Sequence, residues 1–150
     1  MASYELLGPE WCEAVKEAVN SGPPPEERSA KLESYWQWVE RAGKDFTGSL
    51  ALEVSGLPEG PSRYVELTFE NGTCTAVRPV SRDEAQQATF LLSIPYQVWP
   101  DLIAGYDMGK AVMYRKIRML SGELLAFYNR VFYFIEVLSS VRRVPAQLPT

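Results

Sequence analysis

The most apolar stretch of the chain, residues 124–138, predicts a helix with an unusually wide apolar face. Its apolar side chains recur at helical spacing, while Asn129, Arg130 and Glu136 fall on one narrow polar strip. Pro145 is expected to end this helix. A face this wide must cover something equally apolar, which could be the core, a ligand or a membrane surface.

The N-terminal third predicts two more helices, over about residues 9–20 and 26–42, joined by a rigid proline run at residues 23–25. Trp36 and Trp38 point in different directions on the second helix, so we expect one of them to be half exposed. One face of that helix collects four large apolar side chains, Leu32, Tyr35, Trp36 and Val39.

A hairpin is predicted at Asn71-Gly72, a pair of residues typical of a two-residue type I′ turn. The turn sets the register of its two strands, so Phe69 is expected opposite Cys74 and Leu67 opposite Ala76. Cys74 then lies on the buried face, where its thiol acts as a small apolar group rather than as a nucleophile.

The remaining strands and short helices are predicted from alternating apolar residues, helix-capping residues and turn residues. Ser81 to Glu84 matches a capping box, and Asp107 can cap a short helix. Besides the hairpin's second strand, the pattern predicts strands at 50–54, 64–70, 89–94 and 116–120, and short helices at 98–104 and 108–114.

This order of elements predicts an α+β protein with a five-stranded, mostly antiparallel sheet covered by helices. Its 150 residues suit a single domain with a substantial core. We expect one domain over residues 1–150, with an N-terminal helical part at about 8–43. The sheet and C-terminal helices are expected at about 46–143.

The composition argues against an enzyme. The chain has no histidine and only two cysteines, which removes the commonest general base and makes a zinc site improbable. Its adjacent carboxylates point apart, and its glycines do not form a phosphate-binding loop. We therefore expect no catalytic residues, no metal and no cofactor.

Charge is unevenly distributed along the chain. The net charge is −4, with an acidic first half and a second half in which basic residues are in excess. The overall acidity argues against a nucleic-acid partner. The basic excess of the second half could serve an anionic ligand or a membrane surface, but solvated polar faces are the favoured interpretation. Arg115, Lys116 and Arg118 could receive a phosphate or carboxylate, but a solvated strand edge is favoured for them.

The chain shows no sign of export or membrane insertion. No apolar run approaches the roughly 20 residues of a membrane span, and the N-terminus lacks the basic region of a signal peptide. Two cysteines do not make a disulfide framework. We expect a cytoplasmic protein that contacts membranes at most transiently.

Several segments of the last third resemble one known family, the sterol carrier protein-2 family. They are 88–92 (ATFLL), 99–105 (WPDLIAG), 109–113 (GKAVM), 115–119 (RKIRM) and the final helix. The family has there a strand, an aromatic-Leu-Leu-Gly helix, a short alanine-containing helix, a Gly-Lys-Leu-Lys-Ile strand and a closing helix. Pro9-Glu10-Trp11 and Asn20 are similar, more weakly, to its bacterial members.

Two departures from the family pattern concern specificity and location. Arg115 stands where the family usually has glycine. The C-terminal residues 147–150 are not the Ser-Lys-Leu address that many eukaryotic members carry. Both departures count against sterol specificity and a peroxisomal location.

The resemblance implies a non-catalytic protein that binds or transfers a lipid, such as a fatty acyl chain, a sterol or a phospholipid. The ligand would occupy an apolar cavity closed by the C-terminal helix. Together with the wide apolar face of that helix, the resemblance implies ten ligand-binding residues: Trp99, Leu102, Ile103, Met113, Phe127, Tyr128, Val131, Phe132, Ile135 and Leu138.

Two alternatives stay open at this point. An empty lipid-sized void of roughly 300 Å³ would cost on the order of 7 kcal/mol, so the protein's own aromatic rings could fill the cavity instead. The apolar face could also be covered by a protein partner or a second copy, which would make the chain an interaction or dimerisation module.

Overall fold

The computed structural model describes residues 3–148, in which seven strands form two sheets. Pro149 and Thr150, which complete the C-terminal segment considered above, lie outside the described residues. The strands are β1 Tyr4–Glu5, β2 Gly48–Val54, β3 Arg63–Glu70, β4 Thr73–Val80, β5 Phe90–Ser93, β6 Arg118–Ser121 and β7 Ala146–Gln147.

The larger sheet has the order β4-β3-β2-β5-β6. Its neighbouring strands are antiparallel except for β2 and β5, which are parallel and place Leu50 opposite Phe90. The predicted α+β class with a five-stranded, mostly antiparallel sheet is therefore confirmed. The short β1 and β7 form a separate parallel pair that the sequence pattern did not reveal.

The hairpin between β3 and β4 turns where predicted. Asn71 and Gly72 have φ values of 50° and 80°, the left-handed backbone that a type I′ turn requires. Phe69 lies opposite Cys74, and both side chains are buried. The prediction that Cys74 belongs to the core is confirmed.

Further along the hairpin the predicted register is wrong. Leu67 lies opposite Val77 and not opposite Ala76, because a β-bulge adds one residue to β4. The bulge adjoins Cys74, whose backbone N–H and C=O are held by the side-chain amide of Asn20 at 2.8 and 2.9 Å. This clamp satisfies the outward-facing backbone groups of an edge strand where the bulge bends it.

The part of the chain that the structure describes contains eight α-helices. Asp107 caps α6 by accepting a hydrogen bond from the Lys110 N–H, and Ser81 and Glu84 form the predicted capping box of α4. The helices are α1 Pro9–Ser21, α2 Pro25–Arg28, α3 Glu33–Gly43, α4 Arg82–Gln86, α5 Trp99–Ile103, α6 Met108–Met113, α7 Leu124–Tyr128 and α8 Val131–Arg143.

The helix predicted at 26–42 is instead the pair α2 and α3. The indole N–H of Trp36 donates to the Arg28 carbonyl at 2.7 Å, the acceptor that a continuous helix would offer to the N–H of Leu32. Leu32 takes an extended backbone, and α3 begins at the next residue, Glu33. A tertiary contact therefore breaks a pattern that is locally helical.

The helix predicted at 124–138 is likewise two helices, α7 and α8. The chain leaves helical geometry at Arg130, whose φ is −122° and ψ is 21°. The Arg130 guanidinium donates to the carbonyl of Ala42 and, at 2.8 Å, to a carboxylate oxygen of Asp45. The break thus anchors the start of α8 to the end of α3.

The core lies between the sheet and the helices α1 and α8. Leu50, Leu52, Val65 and Leu67 of the central strands are fully buried there. The short α4 covers the opposite face of the sheet, where Ala51, Ala85 and Leu91 form a smaller cluster. Between residues 3 and 148, no helix is both long enough and apolar enough to cross a bilayer.

Candidate functional site

An open cleft of about 540 Å³ runs along the solvent side of α8. The loop before α3 and α3 itself form one wall, and the segment from Gly105 to Gly109 forms the other. Its lining residues are Glu27, Ala30, Lys31, Tyr35, Trp36, Gly105, Asp107, Met108, Gly109, Phe132, Ile135, Glu136, Ser139, Arg142 and Arg143.

The floor of the cleft changes in character along α8. Phe132, Ile135, Ser139 and Arg142 all line the cleft, and their spacing places them on one helical face. The face is apolar at the start of the helix and cationic at its end, over about 15 Å. The C-terminal helix therefore supplies an apolar surface and a positive charge to the same groove.

Aromatic rings form the apolar end of the cleft. Phe132 contacts Tyr35 edge to face, with ring centroids 6.0 Å apart, and Trp38, with centroids 4.8 Å apart. Trp36 is buried, whereas Trp38 is 50% exposed, so the expected half-exposed tryptophan is Trp38. These rings present flat apolar faces to the cleft and its rim.

Glu136 joins the α3 wall to the floor at the middle of the cleft. Tyr35 donates its hydroxyl hydrogen bond to Glu136 Oε2 at 2.6 Å, and Lys31 Nζ lies 3.2 Å from the same oxygen. Burial, followed by the hydrogen bond to Glu136, raises the pKa of Tyr35. The carboxylate is thus engaged by partners of its own, which reduces its repulsion of an incoming anion.

The two arginines at the cationic end differ in their partners. Arg143 pairs with the Glu27 carboxylate and donates to the Ser140 hydroxyl. Arg142 donates to the Leu102 carbonyl at 3.2 Å, and its buried Nε lacks a hydrogen-bond partner. No carboxylate of residues 3–148 lies within 4.0 Å of Arg142, which leaves its charge available to a ligand.

A second, more enclosed pocket of about 260 Å³ lies behind the cleft, between the end of α1, α3 and α8. Trp36 and Glu136 line both spaces. The indole and the carboxylate therefore form a partition between the cleft and this inner pocket.

Neither thiol has the environment of a reactive cysteine. Cys12 and Cys74 are both buried and free, and burial raises the pKa of each to about 11. Across residues 3–148, the structure brings together no group of three or more cysteine, aspartate or glutamate side chains able to hold a metal ion.

Comparison with known proteins identifies the fold. A scan against models of protein families and a search of curated proteins find no match. A crystal structure of sterol carrier protein 2 matches with a TM-score of 0.70 at 22% identity, over 93% of this chain and 99% of that one. This chain has the sterol carrier protein 2 fold.

A second solved structure with this fold comes from Thermus thermophilus. It is a solution structure of a conserved hypothetical protein described as a possible sterol carrier protein. The TM-score is 0.68 at 19% identity, over 98% of this chain and 94% of that one. The resemblance stated from the sequence is therefore confirmed at the level of the fold.

The structure does not bring the ten predicted ligand-binding residues together in one place. Phe132 and Ile135 line the cleft. Ile103, Met113 and Tyr128 are exposed and do not line it. The other five residues pack in or against the core: Trp99, Leu102, Phe127, Val131 and Leu138.

Aromatic rings fill the space between α8 and the sheet in this sterol carrier protein 2 fold. The rings of Phe127 and Phe134 stack with centroids 5.0 Å apart, and both pack edge to face on Phe90. Phe46 contacts Phe134 from the other side at 5.2 Å. The wide apolar face of α8 is used largely for this packing.

Thirteen of the fifteen residues that line the cleft were not among the predicted site residues, including Lys31, Tyr35, Trp36 and Arg142. The shared face of Tyr35 and Trp36 was visible in the sequence, but nothing there indicated that it faces α8. Arg142 suits the end of a helix in any protein, so its position alone does not indicate a ligand.

Proposed function

We propose that this protein binds or transfers a lipid that has an apolar chain and an anionic head group, and that it does so without catalysis. The ligand occupies the cleft along α8. The observation that carries the proposal is the change from apolar to cationic side chains along one face of that helix. The sterol carrier protein 2 fold supports lipid binding or transfer in general.

The proposed pose follows from the chemistry of the lining. The apolar chain lies against Phe132, Ile135 and Trp36, where each methylene removed from water contributes about 0.8 kcal/mol. The anionic group lies at Arg142, whose planar fork suits a carboxylate or phosphate. The volume of about 540 Å³ is in the usual range for a small-molecule site.

The cleft offers no catalytic apparatus for such a ligand. Glu136 is bound by Lys31 and Tyr35, and the raised pKa of Tyr35 keeps its hydroxyl protonated at neutral pH. Binding and release are therefore the functions we assign.

The direct test is to extract the purified protein with solvent and identify the bound lipids by mass spectrometry. Binding of a fluorescent fatty acid, and its displacement by an unlabelled one, then measures affinity.

Ala30→Trp fills the cleft from its exposed rim and should reduce fatty-acid affinity at least tenfold. Gln87→Trp, an exposed site on the opposite side of the sheet, is the matched control and should bind normally.

The proposal fails on either of two outcomes. One is that no lipid co-purifies and no fluorescent fatty acid binds. The other is that fatty acid binds equally well to Ala30→Trp and to the unmodified protein, which would place the ligand elsewhere.

A further inference from the structure

Exposed apolar side chains are concentrated in one segment of the chain. Of the ten large apolar side chains exposed among residues 3–148, six lie between residues 108 and 128. Met113 is 77% exposed and Leu125 is 67% exposed, which is unusual for side chains of this size. The six are Met113, Tyr114, Leu120, Leu124, Leu125 and Tyr128.

These residues lie on or next to three consecutive elements, α6, β6 and α7. β6 is the edge strand of the sheet. α6 is tied to the start of β6, because the Ala111 carbonyl accepts from the N–H groups of Lys116 and Ile117 at 2.9 and 3.0 Å. α7 follows β6 after a turn at Gly122, where an added Cβ would lie 2.7 Å from the Thr89 carbonyl oxygen.

The same segment is the basic part of an acidic protein. Residues 108–128 contain four basic residues and one acidic residue, a net charge of +3, whereas the rest of the chain has a net charge of −7. The four cations, Lys110, Arg115, Lys116 and Arg118, have no carboxylate within 4.0 Å among the described residues. We call these cations and the six exposed apolar side chains the basic edge.

Arg115 holds an unfavourable backbone conformation within the basic edge. Its φ is 61°, the left-handed region in which glycine is unstrained and a long side chain is not. The chain has an exposed cation at a position where glycine would fold more easily. Compared with glycine at this position, Arg115 contributes a positive charge and does not make the turn more favourable.

We propose that the basic edge docks on the surface of an anionic phospholipid bilayer. Apolar side chains flanked by cations are the combination that interfacial segments use, because the side chains enter the acyl boundary while the cations remain among the phosphates. A second copy of the chain fits less well, because a symmetric contact would bring the four cations of one protomer against those of its partner.

Docking on a bilayer goes beyond the proposed lipid binding and does not depend on the cleft. The basic edge shares no residue with the cleft lining, although α6 contributes Met108 and Gly109 to the cleft and Lys110 to the basic edge. The two proposals can therefore fail separately, and Ala30→Trp, which fills the cleft, should leave bilayer docking intact.

The test is co-sedimentation with vesicles of phosphatidylcholine alone and of phosphatidylcholine with phosphatidylserine. The protein should bind the second and not the first, and high salt should weaken binding. Arg115→Gly relieves the backbone strain, so it should fold, and it should lower binding about fivefold. Leu125→Ser should lower binding by at least as much, because it removes the most exposed leucine of α7.

Matched controls lie on other faces of the molecule. Leu32→Ser removes a leucine that is 78% exposed near the cleft, and Arg82→Gln removes an exposed cation of α4. Both should bind vesicles as the unmodified protein does. Three outcomes would overturn the proposal. The protein could sediment equally with both kinds of vesicle, or the control variants could lower binding as much as Arg115→Gly and Leu125→Ser do. The protein could also form a stable dimer in solution that Leu125→Ser dissociates.

Discussion

Tyr35 and Glu136 join α3 to α8 through a hydrogen bond of 2.6 Å across the middle of the cleft. Tyr35→Phe removes only the hydroxyl, so it leaves the carboxylate with Lys31 as its remaining side-chain partner. We expect a loss of about 1.5–3 kcal/mol in the free energy of unfolding, the range for a hydrogen bond to a charged group.

Urea unfolding monitored by circular dichroism measures this loss. Tyr114→Phe is the matched control. Tyr114 directly follows α6 and is exposed, so its hydroxyl should contribute little to the free energy of unfolding. If both phenylalanine variants have the stability of the unmodified protein, the link between Tyr35 and Glu136 does not hold the helices together.

Stability should fall at alkaline pH because two buried thiols and two partly buried tyrosines retain their protons in the folded state. Burial raises the pKa of Cys12 and Cys74 to about 11 from 9.0, raises that of Tyr133 to about 12 from 10.0, and raises that of Tyr35 as well. A raised folded pKa contributes stability below the unfolded pKa that is lost as pH rises through the folded value. The free energy of unfolding should therefore decline above about pH 9.

Urea midpoints measured at intervals from about pH 8 to 11 test this decline. Cys74→Ala should make the decline shallower, because alanine has no proton to lose. A flat profile over that window, or an unchanged slope in Cys74→Ala, would contradict the buried environment of these groups.

Gly43 is required by the close packing of α3 on α8. An added Cβ would lie 2.1 Å from the ring carbon Cε1 of Tyr133. Gly43→Ala should destabilise the protein by about 1–3 kcal/mol, even though alanine favours helices over glycine. The same substitution should cost much less in a Tyr133→Leu background. An equal cost in both backgrounds would show that the ring is not the obstacle.

Arg142 should determine the preference of the cleft for an anionic head group. Arg142→Gln should lower the affinity for a fluorescent fatty acid about tenfold, which corresponds to the loss of one charge-assisted hydrogen bond. Affinity for the corresponding fatty alcohol should not change. Arg82→Gln is the control for net charge, and an equal loss for acid and alcohol would assign Arg142 a structural role.

Trp36 should limit the length of the bound chain, because it separates the cleft from the inner pocket. Trp36→Leu should join the two spaces and shift the preference of a fatty-acid series towards longer chains. Trp38→Leu is the control, since Trp38 does not line the inner pocket. The partition is ruled out if the order of preference is the same in both variants.

The elements that the sequence predicted correctly depend on local chemistry. The Asn71-Gly72 turn, the capping box at Ser81 and the cap at Asp107 use residues within a few positions of one another. Alternation of apolar residues placed β2 and β3 because each has one buried face. Such signals are present in any short window of the chain.

The two broken helices could not be predicted because the contacts at the breaks join residues that are not helical neighbours. Trp36 takes the Arg28 carbonyl at the first break, and Arg130 reaches Ala42 at the second. The β-bulge in β4 adjoins the clamp that Asn20 makes on Cys74. In each case a tertiary contact overrides a local preference.

The cleft was hidden from the sequence for a related reason. One of its walls comes from the N-terminal helices and its floor from α8, and their approach depends on the ion pair between Lys31 and Glu136 and the contact of Tyr35 with Phe132. A wide apolar face does not reveal which of its residues meet a ring of the core and which meet solvent. Phe134 and Phe132 are two positions apart and have these different surroundings.

The parallel pair β2 and β5 has a consequence for synthesis on the ribosome. β2 lies at the centre of the sheet, and Leu50 and Leu52 on it are fully buried between neighbours on both sides. The hairpin of β3 and β4 can cover one edge of β2 soon after it emerges, whereas β5 arrives only after residue 89. During that interval the nascent chain presents an unpaired strand edge, which is the kind of segment that chaperones protect from aggregation.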